Sequence, residues 1–183
     1  MQLHVTLVQW AAAPGDPAAN LAAGTAACRA AAAAGADVVL FPEMWQTGYA
    51  ACPFDPAGQA AWEAQAIALD DPFIAHFQAL ARDLDLHIVL TFLERHAPLP
   101  RDSAALIDRQ GAIALHYAKV HVCNFGLDEL AKPNPDYDAV GGDYHCAPGD
   151  SFPVAPLTTP EGTTTVGLMI CADREFPAPA ERP

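Results

Sequence analysis

The chain has 183 residues, 52% of them apolar, which suits one domain with a sizeable core. Nine basic residues against 22 acidic ones leave a net charge of −13. Such a surface repels nucleic acid and anionic membranes, and no apolar stretch is long enough to span a bilayer, so neither is expected as a partner.

Met1-Gln2-Leu3-His4 lacks the basic opening of a secretion signal, and the expected location is the cytoplasm. Cys28, Cys52, Cys123, Cys146 and Cys171 form an odd, widely scattered set. That pattern is unlike a disulfide framework and suits a reducing compartment. No CxxC pair or other close zinc spacing occurs, and neither a metal nor an organic cofactor is expected.

Residues 3–9 alternate and predict a first strand. Asp16-Pro17 predicts a helix start, because aspartate caps and proline suits the first helical position. The alanine-rich run that follows should be helical up to Gly35. Residues 37–41 read as a short buried strand, which completes a β–α–β unit and points to an α/β protein. A short helix is expected within 57–69. Asp71-Pro72 repeats the capping arrangement, and Phe73, Ile74, Phe77, Leu80, Ala81 and Leu84 follow at helical spacing. Residues 87–93 predict a strand, and 103–108 with 112–117 a hairpin turning at Arg109-Gln110-Gly111. Residues 124–160 hold Pro133, Pro135, Pro148, Pro153, Pro156 and Pro160 and are expected to be mostly irregular. Residues 163–170 predict the last strand. No repeat or linker divides the chain, so residues 1–183 are read as one domain.

Three residues each follow a strand-like apolar stretch. Glu43 follows Leu40-Phe41-Pro42, Lys119 lies in Tyr117-Ala118-Lys119-Val120-His121, and Cys171 ends Val166-Gly167-Leu168-Met169-Ile170. A thiol delivered from a buried strand into a tight polar turn is a common presentation of a nucleophile. Taken singly, each has an ordinary reading: an inert core thiol, a solvated turn glutamate, a lysine at a strand edge. In combination they favour chemistry. His116, His121, Cys123, His145 and Cys146 lack metal-site spacing. His121 reads instead as a structural residue near the site, and Asp173 with Arg174 as an ion pair bracing the turn.

These motifs resemble the nitrilase superfamily of carbon–nitrogen hydrolases. The resemblance rests on Phe41-Pro42-Glu43 with Thr47-Gly48-Tyr49, on Tyr117-Ala118-Lys119-Val120-His121, and on Gly167-Leu168-Met169-Ile170-Cys171-Ala172-Asp173-Arg174-Glu175-Phe176-Pro177. It covers nearly the whole chain. It implies an α/β fold, the α-β-β-α sandwich of the nitrilase type. The family domain continues well past its cysteine, so the expectation is its N-terminal portion with an incomplete second sheet. The resemblance also implies a cysteine-dependent hydrolase of non-peptide carbon–nitrogen bonds. Its substrate would be a small amide or N-carbamoyl compound, cleaved through a thioester. Cys171 would be the nucleophile and Glu43 the general base, with Lys119 and the backbone N–H of Ala172 as oxyanion donors. The family often has a second acidic residue after the lysine; Glu129 is the nearest fit, with Asp128 beside it. Relatives are commonly dimers or larger, so a homo-oligomer is one expected assembly. Two other readings stay open: an acyltransferase or thioesterase on the same scaffold, and an inactive remnant.

Overall fold

Every α-helix among the described residues is preceded by aspartate and opens on proline, and the reason is local. Asp16, Asp55 and Asp71 each turn a carboxylate back onto the first turn, accepting from the N–H of Ala19, Gly58 and Phe73 at 2.8–2.9 Å. The proline that follows each has no N–H to leave unpaired. The helices are α1 (Pro17–Ala33), α2 (Pro56–Glu63) and α3 (Pro72–Leu84). Each falls where the sequence predicts one, with α2 shorter than its window. The computed structural model describes residues 2–123 and 143–176.

Five strands form the main sheet: β1 (Val5–Leu7), β2 (Val38–Leu40), β3 (His87–Glu94), β4 (Arg101–Ile107) and β5 (Ile113–Ala118). They lie side by side in chain order. The first three are parallel, joined through α1 and then through α2 and α3; the last two return as antiparallel neighbours. Gly111 makes the β4–β5 turn possible with φ +78°, a region open to glycine at little cost. A register irregularity between Leu106 and Ile107 inserts one extra residue on the β5 side of this pair.

The two faces of the sheet take alternate residues. Val39, Ile88, Leu90, Phe92, Ala105 and Ile107 face α1 and α3, where they meet Ala27, Cys28, Ile74, Phe77 and Leu80 in the main core. Val38, Val89, Leu106 and Leu115 face the other way and pack on Ala155 and Leu157. Those two residues belong to β6 (Val154–Thr159), which pairs with β7 (Gly162–Gly167) as a second, two-stranded sheet. Helix, sheet and sheet thus stack in the order expected of the α-β-β-α sandwich.

Three expectations need correction. Residues 154–159 were expected to be irregular, yet they form β6. Pro156 is accommodated because its face of the strand is exposed and, among the described residues, the sheet has two strands with β6 at an edge. The last strand stops at Gly167 rather than at 170, and Leu168–Ile170 runs on without a ladder. Arg174 does not pair with Asp173; it pairs with Glu175 at 2.9 Å in the open. Residues 177–183 lie outside the described residues.

Candidate active site

Glu43 is positioned by β3. At the end of β2 the chain turns through residues 42–48, and Thr91 of β3 holds that turn from both sides. Its hydroxyl donates to the carbonyl of Pro42 and accepts from the N–H of Trp45 at 3.0 Å. The N–H of Gln46 adds a bond to the Thr91 carbonyl at 3.2 Å. Gly48 closes the loop with φ +69°; a Cβ there would stand 2.3 Å from the carbonyl oxygen of Ala13. Only glycine fits, which gives the Thr-Gly-Tyr stretch a structural reason.

Lys119 comes from the hairpin. Ser103 pairs with Ala118, and one step further the Lys119 N–H donates to the Asp102 carbonyl at 2.9 Å. Lys119 and Asp102 are therefore cross-strand neighbours. The lysine side chain is fully buried, yet its ammonium is well supplied with partners. Nζ donates to Glu43 Oε1 at 2.6 Å, lies 3.0 Å from Asp143 Oδ2, and stands 3.8 Å from Asp102 Oδ2. Burial pushes its pKa down, but the hydrogen bond to Glu43 and the charges of Glu43, Asp102 and Asp143 outweigh it and hold the pKa above the usual lysine value. The amine is therefore a fixed positive charge.

Cys171 opens a 3₁₀ turn, Cys171–Glu175, with φ +49°. A side chain with a Cβ enters this left-handed region at some cost, and such strain collects at functional turns. Asp173 holds the turn in place. Its buried carboxylate accepts from the N–H of His121 at 2.9 Å, from the N–H of Ile170 at 3.1 Å, and from the Tyr117 hydroxyl. It also lies 2.8 Å from His121 Nδ1. The expected structural role for His121 is thus seen, with Asp173 as its partner. Phe176 stacks on the His121 ring at 3.7 Å between centroids.

Of the five cysteines, four are buried and Cys171 is exposed. It lines a pocket of about 200 Å³ together with Glu43, Thr91, Ala104 and the apolar side chains of Leu40, Phe41, Val89, Leu168, Met169 and Ile170. The Cys171 pKa is pushed up to about 11, first by burial of the thiol and then by the Glu43 charge, with a hydrogen bond to Glu43 acting in the same direction. Lys119 opposes this and does not prevail. At neutral pH the resting group is a thiol whose proton faces a carboxylate.

The fold therefore brings Glu43, Lys119 and Cys171 to one place. Ala172 follows as the second residue of the 3₁₀ turn, where the early N–H groups have no partner within the turn. Glu129 and Asp128 lie outside the described residues. Three residues at the site went unmarked in the sequence. Asp102 and Asp143 both have fully buried side chains beside Lys119. Tyr49 is near enough to feel the charges of Glu43, Lys119, Asp143 and Cys171, and burial, followed by Glu43, raises its pKa. Oxygens of Glu43, Asp102 and Asp143 lie within 4.8 Å of one another, but the Lys119 ammonium already serves this acidic group as its cation.

The family model for carbon–nitrogen hydrolases matches residues 4–180. The chain belongs to this family, the nitrilase superfamily. It is similar to an N-carbamoylputrescine amidase of Arabidopsis thaliana, with 28% identity over 166 residues, covering 90% of this chain and 49% of that protein. Among solved structures, the NitN amidase of Nesterenkonia sp. AN1 superimposes with a TM-score of 0.69 at 25% identity, covering 97% of this chain and 60% of that one. A second structure of an amidase from Nesterenkonia sp. gives 0.67 at 25% identity, covering 97% and 58%. The chain thus spans about half the length of the curated relative and about 60% of the solved ones. In the Nesterenkonia sp. AN1 amidase, variants carry the acetamide moiety of fluoroacetamide on the active-site cysteine.

Proposed function

We propose that this chain carries the catalytic centre of a cysteine hydrolase that cleaves carbon–nitrogen bonds in small amides or N-carbamoyl compounds. The observation that supports it most is the 2.6 Å bond between Lys119 Nζ and Glu43 Oε1, at the pocket that Cys171 also lines. A base and a thiol lining one pocket, with a fixed cation bonded to the base from behind, are the parts that acyl transfer from nitrogen requires.

In the proposed cycle Sγ of Cys171 attacks the amide carbon as Glu43 takes the thiol proton. The carbonyl π electrons move to oxygen, where Lys119 and the Ala172 N–H donate to the developing oxyanion. The carbon–nitrogen bond then breaks, Glu43 returns the proton to the leaving nitrogen, and a thioester remains. Water attacks the thioester while Glu43 accepts its proton, and Sγ leaves and is reprotonated. Because the thiol is protonated at rest, the nucleophile is made during attack rather than stored. Asp143 and Asp102 fill the acidic positions around Lys119, and Glu129 or Asp128 would add to them. A reducing cytoplasm keeps such a thiol free.

Fluoroacetamide is the direct test. Mass spectrometry should find the acetamide adduct on Cys171 well ahead of the four buried cysteines, and Glu43→Gln should slow it by about a hundredfold or more. Equal labelling of all five cysteines would remove the assignment. Ammonia release from a panel of amides and N-carbamoyl amines then names the substrate class. The same panel run with an added amine acceptor separates hydrolysis from acyl transfer, since only a transferase yields the new amide.

A further inference from the structure

Four ionisable side chains meet at the pocket wall, with Glu43 facing the pocket and three behind it, and their charges do not balance. Glu43, Asp102 and Asp143 face one ammonium, that of Lys119. With all three acids ionised, the group would hold two uncompensated negative charges, and three of its four side chains are closed to water. Like charges at this range cannot all persist in a poorly solvated site. One carboxyl must hold a proton, and the contacts identify which. Glu43 receives the shortest bond from Lys119 and is partly open to solvent. Asp143 lies 3.0 Å from the ammonium and accepts from the N–H of Cys123 at 2.8 Å. Asp102 is fully buried, stands furthest from the ammonium at 3.8 Å, and among the described residues neither of its oxygens has a hydrogen-bond donor, whereas Asp143 lacks one only at Oδ2, the oxygen that the ammonium approaches.

We propose that Asp102 is a positioning residue that works as a neutral carboxylic acid, its O–H directed at Glu43. This rests on the reading of Glu43 and Lys119 given above and extends it. A proton on Asp102 gives its stranded oxygen a partner. It turns Glu43 so that the remaining lone pairs face the thiol. It also leaves the Lys119 charge less neutralised, so more of it is available to an oxyanion. The groups that face Asp102 are Glu43 at the end of β2, Lys119 and Tyr117 of the β5 strand and its extension, and Asp143 and Cys146 of the returning chain. Burial is the main cause that raises the Asp102 carboxyl well above its usual value. The Glu43 hydrogen bond and charge act in the same direction, and Lys119 acts against them.

Carboxyl ¹³C NMR of the full chain labelled in aspartate tests this without any substrate. One aspartate signal should stay in its protonated position through neutral pH and vanish in Asp102→Asn. Ionisation of every aspartate at neutral pH overturns the proposal, and so does a protonated signal that survives in Asp102→Asn. If that variant does not fold, the wild-type titration still decides whether a protonated aspartate exists, and Asp143→Asn then assigns it. Fluoroacetamide labelling of Cys171 supplies the second readout. Asparagine retains an N–H donor at the same place, so Asp102→Asn should slow labelling only about threefold, against about thirtyfold for Asp102→Ala. Equal slowing by the two variants overturns the positioning role. Should Cys171 prove unreactive in the wild type, the earlier functional reading fails, while the NMR result still stands or falls by itself.

Discussion

The two faces of the five-stranded sheet are built to opposite rules. The face toward α1 and α3 is apolar where the helices cover it, with most of its strand residues sealed from water, and its polar Ser103 and Glu94 bond each other at 2.6 Å. The face toward β6 and β7 carries the apolar group Val38, Val89, Leu106 and Leu115, but it also carries Asp102 and Thr91. Leu40 remains 37% exposed there and Met169 beside it 55%. Lys119, Asp143 and Cys171 gather at this same side. One face holds the fold by burial; the other accepts buried charge and open apolar surface for the sake of a pocket. The difference teaches that stability and chemistry are separated by the thickness of one sheet.

Replacing Lys119 with methionine should have the largest effect, because it strikes charge on the second face. Three acids would be left without their ammonium, at a cost of about 3–5 kcal/mol in stability. On the proposed mechanism, turnover should fall by about a thousandfold or more, since Lys119 is its oxyanion donor. Denaturant melts and Cys171 labelling check both parts. A variant that melts like the wild type would mean that the acids are not held by this lysine.

Phe77→Ala strikes the first face. Phe77 is fully buried, lies edge-on to Phe41 at 5.6 Å and close to Phe73 at 5.4 Å. Its loss should cost about 3–5 kcal/mol. Labelling of Cys171 per folded molecule should change far less than stability, since the ring meets the pocket wall at Phe41 and not at Glu43, Lys119 or Cys171. A fall in labelling that outruns the loss of folded protein would break the separation of the two faces.

Asp102 gives a smaller, pH-dependent effect. Its folded carboxyl is raised above the unfolded one, so the folded chain keeps a proton that the unfolded chain loses above about pH 4. Stability from this group is present below that pH and is lost as pH rises toward the folded pKa. The slope is about 1.4 kcal/mol per pH unit. Asp102→Asn does not titrate, so the wild type should weaken relative to it between about pH 5 and 8. Parallel melting curves across that range would count against a protonated Asp102.

How much of this was legible follows from where each residue sits along the chain. The Asp16-Pro17 and Asp71-Pro72 starts and the face of α3 are local patterns and are where the sequence places them; Glu43 and Lys119 follow β2 and β5, while Cys171 stands beyond the end of β7 and not on it. Asp102 is different. Read outward from the Arg109-Gln110-Gly111 turn with an unbroken ladder, Lys119 would oppose Arg101. The extra residue near Leu106 shifts the register by one and sets Lys119 against Asp102 instead. A bulge of that kind leaves no mark that sequence alone reveals. Asp143 was hidden for a related reason: nothing local distinguishes a buried aspartate in a loop from a solvated one. Pro156 misled because proline excludes an inner strand but not an edge.

The Cys171 thiol itself provides the finest test of how the second face works. Its pKa of about 11 arises from burial first and from Glu43 next. Glu43→Gln removes the charge while keeping the shape, so the thiol should titrate below the wild-type value. Thiolate absorbance against pH measures this directly. If Glu43 is the proposed proton acceptor, the same variant should nevertheless react more slowly with amides near neutral pH. Thiolate alone would give the opposite order, with the more acidic thiol reacting faster. A Glu43→Gln protein that is both more acidic at Cys171 and faster would mean that Glu43 merely suppresses the nucleophile. One that is more acidic and slower makes Glu43 the base, and makes the raised thiol pKa the cost of keeping a carboxylate beside the sulfur.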